Sequence, residues 1–347
     1  AVPTDSPERI NRLSRDVDRA ESLRTVKNLQ WLYTQYAEFG LWDEMASLFS
    51  ERAEIVSDDT VVAEGQRAIS EYLLQQGVGG KQGLPANALH TELLMQPVVV
   101  LSYDGRSAVG RWTYMTLSGQ GGKAEWAGGM QVNDYVRENG VWKFRKIHLY
   151  PQYAGPYETG FVAARPTFPL VPYPYTTARA GRPVPDETAG NDQSLPKAQS
   201  LAEAEHRIAV MNGEDKVRNL QYAYGYYIDR KMWSDVTDLF ADDGAMEVAG
   251  VGIWVGPKGI RRGLERDGPE GLKRGQVNDQ VQINALVRID PNGLEASVRG
   301  LQFGFLTPKL GEAYLSVSIV KARYVKQDGV WRIREMRIYP KMKTDYY

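Results

Sequence analysis

KNLQWLYTQYAEFGLWDEMASLF (Lys27–Phe49) and RNLQYAYGYYIDRKMWSDVTDLF (Arg218–Phe240) align without a gap, pairing Asn28 with Asn219, Tyr33 with Tyr224, Trp42 with Trp233 and Phe49 with Phe240. The register persists through Gly65/Gly256 and Ile69/Ile260. It returns after short loop differences in NGVWKFRKIHLYP (Asn139–Pro151) and DGVWRIREMRIYP (Asp328–Pro340). Self-similarity over this length means a duplicated domain. The chain therefore divides into a tail (1–20), a first domain (21–151), a connector (152–205) and a second domain (206–347). The connector is rich in proline, glycine and small polar residues, which suits an extended path. Its aromatic residues, Tyr153 and Tyr157 among them, suggest that part of it lies along a domain surface.

Each copy begins with a helical pattern: Val26, Leu29, Leu32, Tyr33 and Tyr36 recur at helical spacing between Leu23 and Phe39. WDEMASLF makes a second short helix and QRAISEYLLQQG, after Gly65, a third. Four strand patterns follow, HTELLMQPVVVLSYDG, SAVGRWTYMTLSG, AEWAGGMQVNDYVRENG and VWKFRKIHLYP. Helices first and antiparallel strands after them predict an α+β domain, with N-terminal helices packed on one face of a curved sheet.

Bulk composition narrows the function. A chain of 347 residues is long for one core, and 42% hydrophobic residues, 24% charged residues and a net charge of −1 describe an ordinary folded protein. No surplus of positive charge calls for nucleic acid, and no apolar run is long enough to cross a bilayer as a helix. With no cysteine there is no thiol nucleophile, disulfide or thiolate metal site, and with three histidines (His90, His148, His206) no histidine-rich metal centre is expected. There is no Gly-rich dinucleotide fingerprint, phosphate loop, nucleophile elbow or paired-histidine motif, so the expected chemistry is acid–base, free of cofactor and metal. The opening AVPTDSPERI would suit a mature end left by signal-peptide cleavage, hence a periplasmic or secreted protein; a trimmed cytoplasmic chain would read the same.

With Tyr33, Trp42, Phe49, the Gly65 turn and the GVW strand, each half resembles a SnoaL-like domain of the nuclear transport factor 2 (NTF2) superfamily. That is the cone-shaped α+β fold shared with ketosteroid isomerase, scytalone dehydratase and polyketide cyclases. The resemblance implies two tandem NTF2-like cones, each around a deep, mostly apolar pocket. It also implies a pairing of the two copies as an intramolecular pseudo-dimer, leaving further homo-oligomerisation open. Members without catalytic groups use the cone for binding or assembly, so fold does not fix function. The tandem order and aromatic content are similar to the cofactor-independent formaldehyde-releasing lyases that act on lignin-derived aromatic dimers.

The two copies can be compared within one chain. Trp42/Trp233, Phe49/Phe240 and Trp142/Trp331 are shared and read as core. His90 opens a strand where the second copy has Asn278, and the resemblance places a pocket-facing histidine or asparagine there. An imidazole titrating near ~6.5 can move protons at neutral pH. His148, replaced by Arg337, alternates with Phe144, Lys146 and Tyr150, and reads equally as a pocket residue or an interface hydrogen-bonding group. Tyr33 and Tyr36 share a helix face; the resemblance to scytalone dehydratase would make them oxyanion donors, and the plain alternative is core packing. Glu38 and Asp229 sit where related enzymes often place a carboxylate, but helix ends are usually wet and the solvated reading is preferred. Arg111 and Arg299 lie inside strands and need a partner, either a structural ion pair or a bound phenolate. Tyr114 and Trp126 flank glycine-bearing stretches, with Gly128 and Gly129 permitting a sheet bend or a ligand's approach.

Three functions stay open. In the first, a lyase or dehydratase for a small aromatic substrate, His90 moves a proton, Tyr36 and Arg111 stabilise phenolate or leaving hydroxyl, and His148 assists, while Tyr33, Trp126, Tyr114 and Glu38 line the site. In the second, the cones only bind. In the third, an isomerase or cyclase of the ketosteroid or polyketide type, Glu38 or Asp229 is the base.

Overall fold

The structure, a computed structural model, describes residues 6–77, 80–102, 104–160, 162–163, 200–308 and 311–346. Most of the connector and Ala1–Asp5 therefore lie outside the described residues. The chain separates into two compact units, Ala1–Ala204 and Glu205–Tyr347.

In the first unit α1 (Pro7–Ala37) begins well before Leu23, inside the stretch set aside as a tail. Ser6 caps it by accepting from the Arg9 N–H, Pro7 occupies the first turn, and Val17, Val26, Leu29 and Tyr33 form its buried stripe. The helix ends at Gly40, whose φ of +67° only glycine adopts freely, and a Cβ there would also strike the Gly83 backbone at 2.7 Å. Next come α2 (Trp42–Ser47), β1 (Phe49–Ser57), β2 (Thr60–Glu64), α3 (Gln66–Gln76), β3 (Leu89–Leu101), β4 (Ser107–Gln120), β5 (Lys123–Glu138), β6 (Val141–Pro156) and the two-residue β7 (Val162–Ala163). The β1–β2 hairpin between α2 and α3 interrupts the expected order of helices followed by strands. The sheet order is β2-β1-β6-β5-β4-β3, with β7 against β6; β1 runs parallel to β6 and every other pair is antiparallel. The sheet is thus not wholly antiparallel, as the sequence had suggested.

Three bulges among β3–β6 bend this sheet, at Gln96–Pro97 in β3 and at Arg145 and Gln152 in β6. The bulge at Arg145 changes the reading of the GVW strand. Phe144 pairs with Tyr135 and Lys146 with Asp134, so Arg145 is the extra residue and the alternation flips there. Trp142, Phe144 and Ile147 all enter the core, and His148 turns to the opposite face. The expectation that Phe144 and His148 share a face fails for that reason. Gly128 and Gly129 serve the bulge at Gln152. A Cβ on Gly129 would lie 2.2 Å from the Tyr150 carbonyl oxygen, and one on Gly128 would lie 2.2 Å from the Tyr153 hydroxyl.

The second unit repeats this plan with α4 (Leu201–Asp229), α5 (Trp233–Asp238), β8 (Phe240–Val248), β9 (Gly252–Val255), α6 (Gly256–Leu264), β10 (Asn278–Ile289), β11 (Glu295–Leu306), β12 (Ala313–Gln327) and β13 (Val330–Tyr346). Its order is β10-β11-β12-β13-β8-β9. The same three bulges recur, at Asn284–Ala285, Arg334 and Lys341. Gln96 and Asn284 even share the left-handed φ, +52° and +56°. Each unit closes its own aromatic core, around Tyr33, Trp42, Phe49 and Phe144 in one and Tyr224, Trp233, Phe240 and Tyr324 in the other. One exchange between the cores is reciprocal in size: Ala63 and Tyr72 in the first copy correspond to Trp254 and Gly263 in the second. The Trp254 indole covers Gly263, where a Cβ would meet it at 2.6 Å.

Candidate functional site

The helix-facing side of the first sheet gathers several of the candidate residues. His90, Glu92 and Leu94 alternate along β3, and Leu94 stands opposite Tyr114 and Glu92 opposite Thr116 on β4. Leu94, Trp112 and Tyr114 pack with Trp31 of α1, which fixes the face as the one under the helix. The His90 Nε2 lies 3.5 Å from a Glu92 oxygen, and both side chains are about 15% exposed (14% and 15%). The Trp42 ring meets the His90 imidazole edge-on at 5.7 Å. Trp42 is itself pinned, because its indole N–H donates to the Lys81 carbonyl and its backbone N–H donates to the Gln82 side chain, each at 3.0 Å. The loop after α3 is thereby drawn over the pair.

Tyrosines surround Glu92. Burial pushes the Tyr33 phenol well above its ordinary range, with the Glu92 charge and Tyr72 adding to the rise. Tyr114 is raised by burial first and then by Glu92, Tyr153, Asp58 and Tyr72. Burial also raises Tyr72. These phenols keep their protons across the physiological range and can donate hydrogen bonds to developing negative charge. A carboxylate and an imidazole beside neutral phenols can exchange a proton with a small molecule.

Glu38 departs from its expected solvated state: it is 1% exposed. The cause is the loop after α3, which crosses the end of α1 and donates the Gly83 N–H to the Gly40 carbonyl at 2.8 Å. Its counterpart Asp229 accepts from the Gln280 backbone N–H at 2.5 Å, and burial raises its carboxyl above the usual range. Gln280 corresponds to Glu92, so the repeat sets Glu38 beside the start of β3. Tyr36 is half-buried against the same core.

Deeper under α1 lies a polar network. The Gln30 side-chain oxygen accepts from the Tyr135 hydroxyl (2.6 Å) and the Asn133 amide (3.0 Å), and the Tyr135 oxygen accepts from the Trp112 indole (3.0 Å). The second unit keeps Gln221 and Tyr324 at the matching positions and adds Gln280, Gln282 and Gln302, joined by Gln221–Gln282 (2.7 Å), Gln282–Gln302 (3.1 Å) and a Gln302–Gln280 contact. Gln280 and Gln302 replace Glu92 and Tyr114, and Asn278, in place of His90, donates to the Ile228 carbonyl at 2.8 Å. The second interior is thus cross-linked by neutral amides where the first holds titratable groups.

The remaining predicted residues lie elsewhere. His148 is on the opposite face of the sheet. Its Nε2 lies 2.5 Å from the Asp58 carbonyl oxygen and so carries the proton, leaving Nδ1 to accept from the Tyr150 hydroxyl at 3.0 Å; the two rings stack at 4.2 Å. Arg111 shares that face, with its guanidinium 3.4 Å from the Met130 sulfur. Trp126 packs on Tyr157 at 5.3 Å near the sheet end. The structure therefore gathers His90, Tyr33, Tyr114 and Glu38 under the helix and leaves His148, Arg111 and Trp126 outside that group. Glu92 and Tyr72 join it without having been singled out, although strand alternation after His90 already put Glu92 on its face. Among the described residues no three His, Asp or Glu side chains gather to hold a metal ion, and no helix is long and apolar enough to cross a membrane.

The family model described as the SnoaL-like domain matches residues 18–148 and again 210–337. No curated protein sequence matches the chain. Among solved structures, similarity is found to a Novosphingobium aromaticivorans protein named after scytalone dehydratase (19% identity, 40% of this chain and 91% of that one, TM-score 0.36). It is also found to a type 2 LinA hexachlorocyclohexane dehydrochlorinase (14%, 40% and 93%, TM-score 0.35). A third is an NTF2-like protein with a cystatin-like fold from Novosphingobium aromaticivorans (18%, 41% and 90%, TM-score 0.33).

Proposed function

The chain belongs to the SnoaL-like domain family, and from that premise we propose that its first domain is a cofactor-independent lyase or dehydratase for a small phenolic molecule, with a lignin-derived aromatic dimer as the substrate class. The observation that carries the reading is the His90–Glu92 pair among protonated tyrosines in one domain, set against Asn278, Gln280 and Gln302 in the other. A duplicated fold that needed those positions only for packing would have no reason to charge one copy and neutralise the other.

The chemistry follows from proton placement. On a phenolic diol, Glu92 or the neutral His90 takes the phenol proton while the benzylic C–O bond breaks, and the hydroxyl leaves as water with a proton from the His90–Glu92 pair. The product is a quinone methide. The His90–Glu92 pair then takes the proton of a neighbouring hydroxymethyl group as its C–C bond breaks, releasing formaldehyde; the bond's electrons form a carbon–carbon double bond and return the ring to a phenolate, which takes that proton back from the pair. Tyr33 and Tyr114 supply hydrogen bonds to oxygen as charge develops, and Trp42 shields the pair from bulk water. The amide-filled second domain acts as a partner for the first, and pairing of the two as a pseudo-dimer belongs to the same proposal.

The burial of Glu38 favours a second reading, an isomerase or cyclase with that carboxylate as base. The test is incubation of the full chain with a panel of phenolic dimers and unsaturated ketones, with and without chelator, followed by ultraviolet spectra and aldehyde release. Chelator-insensitive stilbene and formaldehyde support the lyase. Isomerised ketone abolished by Glu38→Gln supports the second reading, and saturable binding without conversion of any compound refutes both.

A further inference from the structure

We infer that the second domain carries a separate binding site for a small aromatic carboxylate, in the cleft between α4 and the turn joining β10 to β11. The cleft has a volume of about 380 Å³, with walls that include Val210, Gly213, Ile289, Leu294, Lys326 and Trp331. Its character comes from comparison with the first copy. There Arg137 grips Asp18 through two hydrogen bonds of 2.8 and 3.2 Å, and Asp18 is 3% exposed. By the register of the two helices and the two GVW hairpins, Ala209 stands where Asp18 stands and Lys326 where Arg137 does. The cation is kept and its carboxylate is gone.

Among the described residues of the second unit no carboxylate takes its place on Lys326. Lys326 and Lys216, which also borders the cleft, have no acidic partner among the described residues; of the neighbouring acids, Asp215 pairs with Arg218 at 3.2 Å and Glu295 lies 3.6 Å from Arg323. The Trp331 side chain is only 7% exposed and its indole N–H has no acceptor among the described residues, an arrangement that normally costs stability. The Lys326 ammonium sits 6.0 Å from the Trp331 ring centroid. Gly213, in place of Ser22, keeps the helix wall low, with a hypothetical Cβ 3.5 Å from Ile289 and 3.8 Å from the Trp331 ring. An anion held by Lys326, with a flat apolar body against Ile289, Leu294 and the Trp331 ring, would give that cation the counter-charge that Asp18 gives Arg137 in the first copy. An aromatic carboxylate has that combination of parts.

The test uses the full chain, 15N-labelled, with the indole signal of Trp331 assigned through Trp331→Phe, and benzoate as the probe. Saturable movement of that signal by benzoate, and not by benzylamine, is expected. Lys326→Met and Ala209→Asp should each weaken benzoate binding by about tenfold or more, the first by removing the cation and the second by giving it an internal carboxylate. Both changes are on accessible positions, so folding is preserved. A Trp331 signal unmoved by millimolar benzoate, an equal response to benzylamine, or unaltered benzoate affinity in both variants would overturn the inference.

Discussion

Replacing Tyr135 by Phe should cost about as much as the matching Tyr324→Phe but through a different orphaned group, for both tyrosines are 1% exposed and both donate to a buried glutamine. In the first domain the lost hydroxyl gives up its bond to Gln30 and strands the Trp112 indole N–H, whose residue is 0% exposed. Gln30 keeps the Asn133 amide as a partner, so its oxygen is not stranded. One net hydrogen bond at ~1 kcal/mol and one buried orphaned donor at ~1–3 kcal/mol sum to about 2–4 kcal/mol. In the second domain Gly300 occupies the position of Trp112 and no indole is orphaned, but the Gln221 oxygen, in a residue 1% exposed, loses its donor, so the cost is again about 2–4 kcal/mol. Urea unfolding of the two variants, followed by calorimetry and fluorescence, measures each loss. The Trp112→Phe, Tyr135→Phe double variant supplies a control: with the indole already gone, the tyrosine change should cost only about 1 kcal/mol. A loss of only about 1 kcal/mol from either single variant, or additive losses in the double variant, would refute the reasoning.

Three further outcomes follow from the same contacts. Burial raises the Tyr33, Tyr135, Tyr224 and Tyr324 phenols in the folded chain. Unfolded phenols lose their protons near ~10, so above that pH the unfolded state binds fewer protons and stability falls as pH rises, with no such loss from these groups below it; urea midpoints from pH 8 upward check this. Gly129→Ala should destabilise by at least ~2 kcal/mol, because its Cβ would meet the Tyr150 backbone at 2.2 Å, which thermal melting reads directly. Trp42→Ala should cost about 3–5 kcal/mol and raise protease sensitivity in the loop at Lys81–Gln82, whose two hydrogen bonds to Trp42 it loosens; limited proteolysis with mass mapping locates the cut.

Much of the fold was legible because the duplication printed it twice. Trp42 and Trp233, Phe49 and Phe240, and the GVW strands all mark core in both units, and the α1 and α4 stripes follow helical spacing. What escaped was anything decided by a bulge or a distant loop. Arg145 is an ordinary strand residue by composition, yet as the extra residue in β6 it brings Ile147 onto the core face of Phe144 and turns His148 away from it. The parallel β1–β6 pair brings together segments nearly a hundred residues apart, which local pattern does not encode. Glu38 looked wet because helix ends usually are; the loop that buries it is tied by Gly83 and Trp42, far along the chain. The candidate site was half legible: His90, Tyr33 and Tyr114 were singled out in the sequence by strand position, helix face and the family resemblance. Glu92 required following strand alternation from His90, and Tyr72 required knowing that Ala63 leaves the space that Trp254 fills in the second copy.

The central claim, that proton transfer belongs to the first domain, is tested most directly by single-turnover conversion of a phenolic diol with Glu92→Gln and, separately, Gln280→Ala. Each protein is first checked for native circular dichroism. The account predicts at least a ~100-fold loss for Glu92→Gln, the contribution expected of a positioned acid–base group, and an unchanged rate for Gln280→Ala. Full activity in Glu92→Gln together with loss in Gln280→Ala would contradict it.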